Sequence, residues 1–291
     1  MKRDNVAIVG SGGYIAGYLK GLLRTNSEIG NIISIDKIND GITRYIDLAD
    51  ASSINNLLLD DIDYIIFLAA ISSPDACAIE YGRCWDINVT GTSALIRRAM
   101  DKKIKVLFFS SDAVFGEDGR IPFDEDSITN ANTPYGCMKR AVENEFSSDH
   151  NFKAVRLSYV ASATDKFVRY CLECIRNNVK AEIFHPFYRN CTTVSVVTRV
   201  VGWLISNWER YQPSFLNVAG VELVSRIRIA DEINRCMNKE LKYSITCPDT
   251  EFFIRRPAIT QMKSKYLYEL GILEPLSFTE LFAEEMRGIR L

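Results

Sequence analysis

Val6-Ala7-Ile8-Val9-Gly10-Ser11-Gly12-Gly13-Tyr14-Ile15-Ala16-Gly17 decides the fold. Four consecutive apolar residues read as a buried strand, the glycines as a turn, and Tyr14–Leu23 as a helix. A strand that turns through glycines into a helix aims backbone N–H groups and the positive end of the helix dipole at the turn. That arrangement attracts a pyrophosphate. Gly10 allows the tight turn and Gly13 a close approach of the ligand. Asp36 lies 23 residues beyond Gly13, at the end of the apolar run Ile32–Ile35. A carboxylate there accepts hydrogen bonds from an adenosine ribose and repels a 2′-phosphate, so the expected cofactor is NAD. Lys37 beside it leaves NADP open.

Working outward, short apolar runs alternate with helical patterns. Strands are expected at Arg44–Asp47, Ile62–Ala69, Val106–Ser110 and Ala154–Leu157. Helices are expected at Ala51–Leu59, through Cys77–Met100 with a break near Gly82, and at Pro134–Ser148. Continuous apolar strands alternating with helices imply a parallel sheet covered on both faces, the doubly wound α/β (Rossmann) class. The alternation loosens after about Tyr159. Thr192–Val197, a helix to Trp208 and Phe215–Val218 still look like α/β pieces, and 225–291 looks mostly helical. The expected division is a dinucleotide-binding domain over 1–160, rejoined by 191–219, and a smaller substrate lobe from 161–190 and 220–291.

The bulk numbers exclude several classes. Apolar residues make up 47% of the 291 residues and charged residues 25%, ordinary values for a globular protein. A formal charge of −2 argues against a nucleic-acid partner. No apolar run reaches membrane-spanning length and no leader pattern precedes the first strand, so a cytoplasmic protein with free thiols is expected. Cys171 and Cys174 form a lone Cys-x-x-Cys in a helical stretch, and the two histidines, His150 and His185, have no ligand-spaced neighbours; no metal site is expected.

Tyr135-Gly136-Cys137-Met138-Lys139 opens a helix after Pro134. Positions i and i+4 share a helix face. A lysine cation beside a phenol lowers the tyrosine pKa from about 10 and suits it to exchange a proton with a carbonyl or alcohol oxygen. Upstream, Ser111-Asp112 ends a strand, and the carboxyl ends of strands line the ligand crevice of a doubly wound sheet. Ser111 is placed there to hydrogen-bond the same oxygen.

These residues resemble the extended short-chain dehydrogenase/reductases, of the NAD-dependent epimerase/dehydratase superfamily, over most of the chain. Asp63-Tyr64-Ile65-Ile66-Phe67-Leu68-Ala69-Ala70 resembles that family's fourth-strand signature, Asn88-Val89-Thr90-Gly91-Thr92 its Asn-x-x-Gly-Thr element, and Asp47-Leu48 its adenine-contacting pair. The order Ser110-Ser111-Asp112-Ala113-Val114-Phe115, Asp118-Gly119, Pro122-Phe123-Asp124-Glu125, then Tyr135-Gly136 to Lys139, is similar to dTDP-4-dehydrorhamnose reductases. Arg255-Arg256-Pro257 resembles an Arg-Pro element near the nucleotide-sugar. The resemblance implies Ser111, Tyr135 and Lys139 as catalytic residues. It implies cofactor contacts from Gly10, Gly13, Tyr14, Ile15, Asp36, Lys37, Asp47, Leu48, Leu68, Ala69, Ala70, Asn88 and Ser110, with Tyr135 and Lys139. Asp112, Ala113, Asn190 and Arg256 are implied on the substrate side.

The chain departs from the pattern in three places. Ala16 replaces the third glycine. The usual aspartate is missing around Thr193-Val194-Ser195, and no Gly-Pro follows Arg156-Leu157-Ser158-Tyr159-Val160. The expected reaction is reduction of the C4 keto group of a nucleotide-linked 6-deoxyhexose. Dehydration is disfavoured because Ala113 stands where dehydratases carry a glutamate. A nucleotide-sugar 4-epimerase is the alternative, and a non-catalytic dinucleotide sensor is the alternative of another class. The resemblance also implies a homodimer. His185–Asn190 reads as a base-stacking stretch or as packing, and Glu117–Asp126 as a solvated acidic loop.

Overall fold

The computed structural model describes residues 3–116, 121–237, 239–254 and 256–290. Seven parallel strands form the central sheet: β1 (Asp4–Val9), β2 (Ile29–Asp36), β3 (Arg44–Tyr45), β4 (Tyr64–Phe67), β5 (Lys105–Ser111), β6 (Phe152–Leu157) and β7 (Phe215–Val218). Their spatial order is β7-β6-β5-β4-β1-β2-β3. The order reverses between β1 and β4, which opens a crevice at the carboxyl ends of those two strands.

The strands read as unbroken apolar runs because both faces are covered. Val6, Ile8, Tyr64, Ile66, Leu107 and Phe109 point to one side. There they meet Leu19 and Leu23 of the Tyr14–Thr25 helix and Val197, Val200, Val201 and Leu204 of the Val194–Ser206 helix. Ala7, Val9, Ile65, Phe67, Val106 and Phe108 point to the other, against Ile54, Leu95, Ile96 and Val142 of the Ala51–Asn56, Thr92–Asp101 and Pro134–Phe146 helices. A third cluster forms the later lobe, where Phe167, Val168, Cys171, Leu172, Cys174 and Ile175 pack on Ile229, Ile233, Phe278 and Phe282. Cys171 and Cys174 are thus core thiols of the Lys166–Asn177 helix.

Three expectations change. Val194–Val197 is helical, although Thr192-Thr193-Val194-Ser195-Val196-Val197 is rich in β-branched residues. Val196, Val197, Val200, Val201 and Leu204 recur at helical spacing, and burying that stripe against the first helix overrides local strand preference. The Cys77–Met100 region breaks near Gly82 as expected, at Glu80 between helices Pro74–Ile79 and Tyr81–Trp85, but widens to a π-helix over Asp86–Gly91. The segment 225–291 mixes three helices with short strands at Tyr243–Thr246 and Ile259–Thr260. Tyr243–Thr246 pairs in parallel with Ala181–Phe184, and Ile259–Thr260 with Tyr188–Arg189.

Candidate active site

The glycine turn is built against the next strand over. Gly10 has φ +86°, and a Cβ there would lie 2.6 Å from the Ala69 nitrogen, so only glycine fits. Gly13 caps the first helix and donates its N–H to the Gly10 carbonyl at 3.1 Å. Ala16 is fully buried under the sheet. Asp36 accepts the Gly12 N–H at 2.7 Å through one carboxylate oxygen and the Lys37 N–H at 2.7 Å through the other. The acid therefore holds the glycine turn to the end of β2. The Lys37 ammonium turns away from it and pairs with Asp47 at 2.5 Å, which holds the Asp47 carboxyl below its usual range.

Leu68 and Ala69 donate their N–H groups to the Val9 carbonyl at 2.9 and 3.0 Å, and Ala70 follows, half-buried. Asn88, buried in the π-helical turn, clamps Ile71 with both ends of its amide: Oδ1 accepts the Ile71 N–H at 2.8 Å and Nδ2 donates to the Ile71 carbonyl at 2.9 Å. Gly91 lets this turn lie on the Asp47–Leu48 loop, since a Cβ there would come 1.8 Å from the Leu48 carbonyl oxygen. Tyr14 reaches across to the Val160 carbonyl at 3.5 Å, and Ile15 packs partly into the core.

The second group of residues lies where β5 ends. The Ser111 hydroxyl donates to Asp112 Oδ1 at 3.0 Å and accepts the Ala113 N–H at 3.2 Å. Asp112 is buried; Ser158 donates to its Oδ2 at 3.4 Å and Arg189 Nε lies 3.5 Å away. Burial pushes the Asp112 carboxyl up, opposed by Arg189 and the two serines. Ser110 Oγ is buried without a hydrogen-bond partner among the described residues. The Tyr135 helix is pressed onto this loop at Gly136, where a Cβ would come 2.2 Å from the Ala113 carbonyl oxygen. Pro134 at the first turn and Thr133, whose hydroxyl accepts the Gly136 N–H at 3.3 Å, start the helix there.

Lys139 is buried, donates to the Phe109 carbonyl at 2.7 Å and lies 5.7 Å from the Tyr135 ring centroid. Burial lowers its pKa to about 7, against the opposing pull of Glu143 and Cys77. Tyr135 shifts opposite to expectation. Burial pushes its phenol well above 10, with help from Cys77 and Asp112, and the lysine does not bring it down. Lost hydration outweighs a cation that is itself partly discharged.

The remaining expected residues separate. Asn190 donates to the Gly220 carbonyl at 3.2 Å and accepts the Met262 N–H at 3.0 Å, which ties backbone segments together. Arg256 pairs with Asp75 of the Pro74–Ile79 helix. Asp118-Gly119 and Arg255 lie outside the described residues. Glu125, read as part of a solvated acidic loop, is buried. It accepts the Asn217 N–H at 2.9 Å, the Ser264 hydroxyl at 2.7 Å and the Lys265 N–H at 2.9 Å, so β7 and the later lobe supply the donors that replace water.

The model of the NAD dependent epimerase/dehydratase family matches residues 6–190, which takes in the glycine turn, Asp36, Asn88, Ser111, Tyr135 and Lys139. The chain belongs to this family. The resemblance read from the motifs is thereby borne out. A UDP-glucose 4-epimerase of Streptomyces lividans is 32% identical over 101 residues, 33% of this chain and 31% of that protein. A dTDP-4-dehydrorhamnose reductase of Sinorhizobium fredii is 30% identical over 161 residues, 54% of this chain and 51% of that protein. The chain thus spans about a third to a half of the length of these relatives. Among solved structures, a dTDP-4-dehydrorhamnose reductase of Bacillus anthracis in complex with NADP superposes with a TM-score of 0.84 at 21% identity, covering 98% of this chain and 99% of that one, a likeness of fold.

Within this family member, sequence reasoning missed Arg189. Besides approaching Asp112, it donates to the Tyr188 carbonyl at 2.6 Å and the Pro257 carbonyl at 2.8 Å, bridging the β5 end and the later lobe. No spacing signal points to Arg189, since Asp112 and Pro257 lie far from it along the chain.

Proposed function

We propose that this protein is an NAD(P)-dependent oxidoreductase that reduces the C4 keto group of a nucleotide-activated 6-deoxyhexose, in nucleotide-sugar biosynthesis. The observation that carries the reading is the placement of Ser111 beside Asp112 at the end of β5, with Gly136 pressing the Tyr135–Lys139 helix onto the same loop. We take 1–160 with 191–219 as the dinucleotide-binding unit and 161–190 with 220–291 as the substrate lobe.

The residues fit a dinucleotide. Gly10 holds the turn against the Ala69 backbone, where a Cβ would collide, and the buried Ser110 hydroxyl has no partner among the described residues. Gly10, Gly13 and the start of the first helix would hold the pyrophosphate, Asp36 the adenosine ribose, Asp47 and Leu48 the adenine side, and Lys139 the nicotinamide ribose. The carboxylate of Asp36 supports NAD as the cofactor. When bound, the nicotinamide supplies the hydride. Tyr135, held as a neutral phenol by its burial, gives its proton to the C4 oxygen as negative charge develops there. Ser111, whose single hydroxyl hydrogen points to Asp112 Oδ1 in the free protein, turns it to that oxygen when the substrate binds.

The second reading is a 4-epimerase, supported by UDP-glucose 4-epimerases among the curated relatives. A kinetic screen separates the two: NADH or NADPH with dTDP-, UDP- and GDP-linked keto-sugars, following net cofactor oxidation. Stoichiometric oxidation supports the reductase, and isomerisation without net oxidation supports the epimerase. Cofactor binding with no turnover on any sugar would favour a sensor. Tyr135→Phe is expected to lower turnover by about 10²–10⁴-fold with cofactor binding retained; full turnover in that variant would remove Tyr135 from the chemistry. We further propose a cytoplasmic homodimer formed through the exposed Ile79 and Tyr81 helices, to be checked by light scattering.

A further inference from the structure

Three sulfurs meet beside Tyr135. Cys77 of the Pro74–Ile79 helix, Cys84 of the Tyr81–Trp85 helix and Met138 of the Pro134–Phe146 helix are fully buried in one small cluster. Trp85 and the half-buried Tyr135 pack against it. The Cys77 and Cys84 sulfurs lie within hydrogen-bonding reach of each other. Asn88 Nδ2 lies 3.9 Å from Cys77 Sγ and 3.5 Å from Met138 Sδ, so one amide group touches a thiol and the thioether together. Cys77 donates to the Ile71 carbonyl at 3.2 Å and Cys84 to the Ala76 carbonyl at 3.5 Å.

Thiols alone pack well as small apolar groups. This cluster differs by the groups aimed at its sulfurs. An amide N–H favours charge on sulfur, and so does the nearby Lys139 ammonium. Burial still keeps the Cys77 thiol protonated, its pKa pushed up to about 12, with Cys84 adding to the rise and Lys139 opposing it. Two thiols beside a thioether make a soft donor set, and such sets select monovalent copper. A divalent ion asks for more ligands: among the described residues, no three His, Cys, Asp or Glu side chains gather to hold one. Cys77 and Cys84 stand seven residues apart across a helix break, a spacing that is no ligand signature in the sequence.

We propose that Cys77, Cys84 and Met138 form a binding site for Cu(I), and that filling it stops turnover at Tyr135. Binding exchanges two S–H bonds for two Cu–S bonds. Two thiols and one Cu(I) give a dithiolate complex of charge −1 and release two protons, with the Met138 thioether as a neutral third donor. Copper stays monovalent, so the step needs no oxidant. Asn88 and Lys139 offset the new negative charge. That charge lies beside a phenol that must become phenolate when it gives up its proton, and it opposes that change, as Cys77 already does. The inhibition rests on the role proposed for Tyr135; the binding of copper does not.

Anaerobic titration with Cu(I) buffered by bathocuproine disulfonate tests the site. The parent protein carries Cys137→Ser, Cys236→Ser and Cys247→Ser, which removes the cysteines that are not buried. It is expected to take up one Cu(I) per chain, with affinity rising about a hundredfold per pH unit near neutrality, the signature of two released protons. X-ray absorption at the copper edge is expected to show sulfur neighbours only. Cys77→Ala and Cys84→Ala are each expected to lose more affinity than the about 10–100-fold that removal of a supporting group costs, and Met138→Leu to fall within that range. Uptake that survives in the Cys77→Ala/Cys84→Ala double variant, affinity independent of pH, or nitrogen and oxygen neighbours at the copper overturns the site. Should these variants not fold, the pH dependence and the absorption spectrum of the parent decide. Turnover on a keto-sugar nucleotide is expected to stop in the loaded parent, to return with excess chelator, and to persist in Cys84→Ala given the same copper. Copper held by the sulfurs with turnover unchanged overturns the inhibition. A parent with no turnover before loading overturns the oxidoreductase reading instead, and the binding result stands apart from it.

Discussion

Lys139 shows what a buried cation, proposed here to serve the reaction, costs its own fold. It is buried against Phe108 and the Phe109 carbonyl, and its pKa falls to about 7 because a charged ammonium is poorly solvated there. The unfolded chain holds this proton up to about 10.5, so between those values the unfolded state binds more protons and stability rises with pH. Below about pH 7 both states are charged and the folded state bears the whole cost of burial. Lys139→Met is therefore expected to be inactive yet to melt higher than the wild type in that range, with the gap closing toward alkaline pH. Thermal melts across a pH series check this. A gap independent of pH would show that the lysine charge is not what burdens the fold. The same burial keeps Tyr135 protonated, which suits the role proposed for it, giving its proton during reduction.

At the scale of elements, glycines set the distances on which the site depends. The π-helical turn Asp86–Gly91 carries Asn88, which grips the chain after β4, and Gly91 lets that turn rest on the Leu48 carbonyl. Gly91→Ala would place a methyl 1.8 Å from that oxygen, so turn and loop must separate. The expected loss is about 1–3 kcal/mol of stability, as for an overpacked core site, together with weaker cofactor binding at the Asp47–Leu48 side. Denaturant melts and cofactor titration measure the two separately. Retention of both would mean that the loop yields without consequence. Gly136 does the same for the Tyr135 helix against Ala113, two residues from Ser111.

For the whole molecule, buried polar groups join the lobes. Arg189 links Asp112 to the Pro257 carbonyl, and Glu125 links β7 to Ser264 and Lys265. Glu125→Ala strands the buried Asn217 N–H, the half-buried Lys265 N–H and a hydroxyl, with an expected cost of about 2–4 kcal/mol. Urea unfolding measures that cost. A KM for the nucleotide-sugar that stays put while stability falls would show that the strap supports the fold without positioning the later lobe.

Local pattern determined much of this protein. Strand, glycine turn, helix, second strand and Asp36 follow one another in fixed order because each is a short-range preference, and Phe215–Val218 was legible as a strand despite lying far down the chain. That Ser111 ends a strand, and that Tyr135 and Lys139 lie in the first turns of one helix, was legible from the pattern. Tertiary structure decided the rest. It made Val194–Val197 helical, because a stripe of valines had to be buried against the first helix. It turned Lys37 toward Asp47 instead of Asp36, committed Asn190 to backbone, and buried Glu125. It also raised the phenol of Tyr135, where pair spacing alone predicts a fall. Spacing along a helix records which groups are neighbours; how much water each loses depends on what the distant chain packs over it.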